Sequence, residues 1–370
     1  MVRIRELGLD DYAAVAALNT RNGLRAAPES DWRRLWVDNP SANEFREVPC
    51  GWVMEDSCSR VVGAACNVPV MYDMAGRSVR TSTGMAWAVD EAHRNASLLL
   101  LEAFFSQNHV DLLLNTTANP VAGKAWQAFR AQKLPQCNYD RNFIWITQYL
   151  AFARTIALRM RLRGIRLLQI PLAGCLVVQD FWRSLHSIWD RSRQLDHAVQ
   201  RLDIFDCRFD AFWETLKATG DGRLRATRDS RSLEWHFRPA LQREEVFILA
   251  CPGDSPTAID GYLIARRNDR DDIRLRRYQI ADLQVRPGRD ELIPALVAKA
   301  LHVAKQERAD VVELTGFEMA RYPLSEALPH RTRQLPTWPY FFKSLDPYLA
   351  SLLQNPDAWD ASPFDGDATL

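Results

Sequence analysis

The chain repeats itself at a spacing near 198 residues, and a duplication constrains the fold more than any single motif, because each landmark must then have a counterpart. Trp36 precedes Pro40 as Trp235 precedes Pro239, and both pairs lie 199 residues apart. Gly63, in Arg60-Val61-Val62-Gly63-Ala64, matches Gly261, in Ala258-Ile259-Asp260-Gly261-Tyr262, at an offset of 198. A strand ending at Val89 matches one ending at Val285 at 196, and Asp111, ahead of Leu112-Leu113-Leu114, matches Asp310, ahead of Val311-Val312-Glu313-Leu314, at 199. Two copies of one unit are expected. Between them lie Arg141 to Gln179, thirty-nine residues with six Arg and no acid.

The pattern inside the first copy predicts its elements. Residues 10–20 carry apolar side chains at helical spacing after Asp10 and Asp11, good residues for a helix N-terminus. Short strands then follow at 51–55, 61–72 and 78–89, separated by Asp56-Ser57 and Ala75-Gly76-Arg77. A helix over 96–109, a buried strand over 110–116 and a helix over 121–132 complete the unit. The fold class is α/β (α+β): two domains, each a mixed, mostly antiparallel sheet flanked by helices. Their expected bounds are 1–145 and 181–345, with a basic helical linker over 146–180 and an acidic, mobile tail over 346–370, free of Lys and Arg.

Composition narrows the function. With 370 residues, 47% hydrophobic and 25% charged, the chain has the make-up of a folded globular protein. Forty-seven Lys+Arg against forty-six Asp+Glu leave +1, too little for the electrostatic attraction that drives nucleic-acid binding, so no nucleic-acid partner is expected. Seven scattered Cys without a C-x-x-C pair, and seven His without ligand spacing, predict neither a metal site nor a disulfide framework. The N-terminus lacks an apolar leader, and a cytoplasmic location is expected.

A strand that runs into a helix through a short loop aims the helix's unpaired first-turn N–H groups at that loop, which suits it to anions. Glu91-Ala92-His93-Arg94-Asn95-Ala96-Ser97, after the strand ending at Ala88 and Val89, has this form. Arg94 adds a charge, and Asn95 or Ser97 could cap the helix.

Val62-Gly63, the run Val89 to Ser97, and Asn119-x-x-Ala122 ahead of Phe129 together resemble the GNAT acyltransferase superfamily. The duplication resembles its tandem members, among them the N-myristoyltransferases, mycothiol synthase and the Fem-type peptidyl transferases. The resemblance implies that acyl-CoA, such as acetyl-CoA, is the donor and that a small-molecule or sugar amine is the acceptor. It places the donor on Ala88, Val89, Arg94, Asn95, Ala96, Ser97 and Asn119. Arg94 opens the phosphate-loop pattern, with Ser97 and Leu99 in place of its two small residues. Trp126 stands where the family often has a Tyr that protonates the leaving thiolate. A second reading is therefore a duplicated ligand- or partner-binding protein without chemistry.

An ammonium acceptor must lose a proton before it attacks a thioester, so a proton acceptor is expected. The weak, mutually alternative candidates are Glu91, if the donor binds the first copy, and Asp282, if it binds the second. Asp282 lies in Ile280-Ala281-Asp282-Leu283, where an isolated carboxylate among apolar neighbours would become more basic. Asp73 and Asp90 lie near in sequence. Arg154, Arg159, Arg161, Arg163 and Arg166, interleaved with apolar residues, make residues 154–166 a linker helix open to peripheral contact with a membrane or an acyl carrier protein.

Overall fold

The β-hairpin at the centre of the first half follows from two residues. Ala75 and Gly76 both have positive φ, 55° and 81°, the turn geometry that matches the twist of paired strands. They join β3 (Val61–Met74) to β4 (Arg77–Val89). β2 (Gly51–Glu55) and β1 (Arg3–Glu6) extend this sheet antiparallel on the β3 side, and β5 (Leu112–Asn115) joins β4 in parallel. The structure, a computed structural model, describes residues 2–45, 48–160, 165–184, 199–317, 328 and 330–370. Helices α1 (Tyr12–Arg21), α2 (Glu29–Val37), α3 (Leu98–Phe105) and α4 (Pro120–Ala128) cover this sheet. Asn119 starts α4 by accepting the N–H groups of Val121 and Ala122 at 3.0 and 2.9 Å, with Pro120 in the first turn.

β6 (Gln132–Lys133) and β7 (Arg141–Ile146) close the first half in sequence, and the helices α5 (Tyr149–Arg159) and α6 (Ile165–Ser184) follow. The expected single linker helix is a hairpin of two. Its inner contacts run antiparallel: the Tyr149 hydroxyl donates to Asp180, and Arg154 Nε donates to Gln169.

The second half repeats the pairing. After β8 (Gln200–Leu202), α7 (Cys207–Ala218), β9 (Leu224–Ala226) and α8 (Ser230–Gln242) come β10 (Val246–Pro252), β11 (Ile259–Arg267) and β12 (Arg277–Val285), each antiparallel to the next. α9 (Leu292–Gln306) leads to β13 (Val311–Thr315), which is parallel to β12. β14 (Arg331–Gln334), β15 (Phe341–Ser344) and α10 (Pro347–Leu352) complete the elements. The strand orders are β1-β2-β3-β4-β5-β15-β6, with β9 beside β3, and β14-β7-β13-β12-β11-β10-β8.

These orders show that the halves exchange strands. β7, from the first half, lies between β13 and β14, while β15, from the second, lies between β5 and β6. Phe143 and Trp145 of β7 are buried with Val312, Leu314 and Phe317. Phe341 of β15 is buried with Phe104 and Trp126. Each half thus completes the other's core, and a boundary drawn at 145 by chain order falls inside a strand of the second sheet.

The tail expected to project is instead packed. Trp359 and Phe364 belong to the core between the sheets, beside Tyr72 and Tyr262. Its acids are met by partners elsewhere: Arg225 holds Asp360 at 2.6 Å, and Tyr72 donates to Asp365 at 3.2 Å. Burial of two large aromatic rings outweighs the solvation of the acidic side chains once these are paired.

Candidate active site

β4 and β5 pair only from Thr81–Leu112 to Thr83–Leu114. Beyond Thr83 they part, and from Gly84 to Val89 β4 is hydrogen-bonded to β3 alone. The register against β3 slips between Ala64 and Cys66, and Ala86 sits at φ 52°. This bulge bends β4 and exposes its outer edge. Backbone N–H and C=O groups on that edge face a cleft of about 600 Å³.

Side chains from four places meet there. Ala88 and Val89 come from β4, and Arg94 and Ser97 from the turn before α3. Asn115 ends β5 and Thr117 and Asn119 follow it, while Ala65 and Cys66 come from β3. Phe104 and Trp126 close the deep end, their rings 5.4 Å apart. A Cβ on Gly84 would lie 3.2 Å from Trp126 and 3.3 Å from Phe104, a tight fit that the two rings could take only by moving a few tenths of an ångström.

Five of the residues expected to hold a donor therefore line one cleft: Ala88, Val89, Arg94, Ser97 and Asn119. Asn95 and Ala96 do not. They lie on a separate depression with Val2, Asp56 and His93. The strand does not run straight into the helix, because Glu91–Ala96 forms a 3₁₀ turn before α3. Neither Asn95 nor Ser97 caps with its side chain. Sequence reasoning missed Asn22, Cys66, Asn115 and Thr117, which come from segments far apart in the chain and carry no shared motif.

The whole chain has counterparts among solved structures. A GCN5-related N-acetyltransferase from Kribbella flavida aligns over 94% of this chain and 71% of its own at 15% identity, with a TM-score of 0.52. Eis1 from Mycobacterium abscessus aligns over 96% and 76% at 14% identity, with 0.51. Saccharomyces cerevisiae N-myristoyltransferase, solved with myristoyl-CoA bound, aligns over 92% and 82% at 9% identity, with 0.53. The chain has the GNAT fold. No family model and no curated protein matches the sequence.

In this GNAT fold the two halves are not equivalent at the turn after the fourth strand. Arg94 makes no ion pair among those of the described residues and borders the cleft. In the second half, Arg286 and Arg289 both bind Asp260, with Arg286 at 2.8 Å. Arg289 also pairs with Glu291 at 2.7 Å, so two carboxylates offset these two cations.

The carboxylates fall in different places. Glu91 is exposed at the start of the 3₁₀ turn and does not line the cleft. Asp73 accepts from Gly76 in the hairpin turn, at the other end of β4. Asp282 is not isolated, contrary to the expectation: Arg228, Tyr262 and Ser362 occupy its oxygens. An inward carboxylate in a central strand is stable only with such partners. Among the described residues, two carboxylates bond to side chains lining the cleft. Asp90 receives Asn22 at 3.0 Å, but Arg21 and Asn22 hold its carboxyl below the ordinary carboxylate range. Asp367 receives the Thr117 hydroxyl at 2.9 Å and that of Thr116 at 3.0 Å, and burial pushes its carboxyl up. Burial also pushes the Cys66 thiol up to about 12, so it stays protonated at neutral pH and is a poor nucleophile.

Proposed function

We propose that the chain transfers an acyl group from acyl-CoA to an amine of a small molecule or sugar, at the cleft between β4 and β5. The observation that carries this reading is the open β4 edge from Gly84 to Val89, facing a cleft whose mouth holds Arg94. The pantetheine arm carries two amides and can lie along such an edge as an added strand would. Arg94 then meets phosphate oxygens.

The residues present favour direct attack. Cys66 as a neutral thiol does not form an acyl intermediate. Asp367, reached through the Thr117 hydroxyl, is a better proton acceptor near neutrality than Asp90, because burial raises it and no cation pairs with it among the described residues, while Glu91 does not line the cleft. The ammonium proton passes toward Asp367, the amine lone pair forms the C–N bond, and the C–S electrons leave on sulfur. With Trp126 where a phenol could stand, water protonates the thiolate. A cytoplasmic setting keeps the chain's seven unpaired cysteines reduced.

The test is thiol release from acetyl-CoA in the presence and absence of amine acceptors, with acceptor-dependent release expected. Binding of CoA without any release favours the second reading, a binder that has lost the chemistry. That reading draws on Trp126 and on the lack of His, Asp or Glu among the residues lining the cleft.

A further inference from the structure

α6 is apolar on the side that faces away from the protein. Gln169, Leu176 and Asp180 mark its inner line: Gln169 and Leu176 are buried, and Asp180 binds Arg331 at 2.8 Å. Ile170, Gly174, Val177 and Val178 mark the outer line at helical spacing. Ile170 is 74% exposed and Val178 is 54% exposed. From 167 to 179 the sequence contains no charged residue. A solvent-facing helix normally carries charges on its outer side, and one that is apolar all round is a helix that something covers.

The neighbouring charges indicate what covers it. On α5, Arg154 and Arg159 are exposed, as are Leu150 and Met160. The join between the helices reads Arg161-Leu162-Arg163-Gly164, and Arg166 follows. Residues 161–164 and the Arg166 side chain lie outside the described residues. From 141 to 179 there are six Arg and no acid, in a chain whose charges sum to only +1. Exposed aliphatic side chains beside arginines, with the nearest carboxylate, Asp180, turned inward onto Arg331 and Tyr149, complement a surface that is negative outside and apolar beneath. A second copy of the same hairpin would bring arginines against arginines. Among the described residues no helix is long and apolar enough to cross a membrane.

We propose that the α5–α6 hairpin docks the protein on an anionic lipid surface, with Ile170, Val177 and Val178 entering the interface and Arg154 and Arg159 meeting headgroups. The hairpin rests on β14 through Arg331 and contributes no residue to the cleft, so the proposal stands apart from the acyl-transfer reading.

The test is flotation with vesicles of phosphatidylcholine alone and of phosphatidylcholine mixed equally with phosphatidylglycerol, at about 0.1 M salt where exposed charges act over about 10 Å. The full chain should float with the anionic vesicles and not with the neutral ones. Ile170→Glu with Val177→Glu should abolish flotation, and Arg154→Gln with Arg159→Gln should weaken it about fivefold per arginine. All variants should keep the wild-type circular dichroism and CoA affinity. Failure of the wild type to float, or equal flotation with both vesicles, overturns the proposal. So does a dimer, seen by sedimentation velocity, that Ile170→Glu converts to monomer, because a second copy then covers the face.

Discussion

Arg228 and Asp282 form a two-point ion pair that water does not reach: Nε to Oδ2 is 2.9 Å, Nη2 to Oδ1 is 3.2 Å, and both side chains are 0% exposed. The pair ties β12 to the segment after β9, and Ser362 of the chain's last stretch donates to the same carboxylate at 3.1 Å. Removing one partner strands a buried charge. Asp282→Asn or Arg228→Met should each cost about 3 to 5 kcal/mol in urea unfolding, and Arg228→Met with Asp282→Leu should recover much of that loss. A stable Asp282→Asn with an altered pH–rate profile would instead give Asp282 a role in the chemistry.

The exchange of β7 and β15 makes the two sheets one cooperative unit. Phe143 and Phe342 are both buried, the first in the second sheet's core and the second between the sheets. Phe143→Ala and Phe342→Ala should each cost about 3 to 5 kcal/mol. Each should lower a single calorimetric transition without splitting it. Two separated transitions in either variant would mean that the halves fold independently.

Asp365 gives the protein a pH dependence of definite sign. Burial raises its carboxyl from 3.8 to about 7, against the pull of Arg228. A raised folded value means that the folded state holds the proton more tightly, so this stabilisation is complete below 3.8 and is lost as pH rises through about 7. Asp365→Asn should therefore be more stable relative to wild type at pH 8 than at pH 5, by thermal denaturation. A gain that is the same at both pH values would remove the raised carboxyl from the account.

The Thr117–Asp367 contact predicts the acidic limb of the rate profile. Asp367→Asn should lower kcat/KM by about 10² or more, the usual size of a lost proton acceptor, and remove that limb, whereas Glu91→Gln should leave both unchanged. If Asp367→Asn keeps the wild-type profile, the acceptor amine loses its proton directly to water.

The repeat was legible because both copies need the same order of antiparallel strands, crossover helix and parallel strand. Val89 and Val285 end their strands as expected. The exchange was not legible, because β7 opens the stretch read as lying between the copies and β15 falls in no expected element, and pairing partners are set by three-dimensional packing rather than by local pattern. Arg94 and Ser97 could be placed from a strand–turn–helix pattern, whereas Asp367 could not, since its acidic surroundings read as a solvated tail. The burial of Trp359 and Phe364, with the Thr116 and Thr117 hydroxyls, brings Asp367 against the cleft-lining Thr117. The partner of Asp282 was not legible for a related reason: Arg228 lies 54 residues away in the chain.

If the first half binds the donor, Arg94 contacts its phosphates. Isothermal titration of CoA into the wild type and Arg94→Ala measures it most directly. The account predicts binding to the wild type and a loss of about 1 to 3 kcal/mol in the variant, the range for one charge-assisted contact. Absence of binding, or an Arg94→Ala affinity equal to wild type together with a loss on Arg286→Ala, would contradict it and place the donor in the second half.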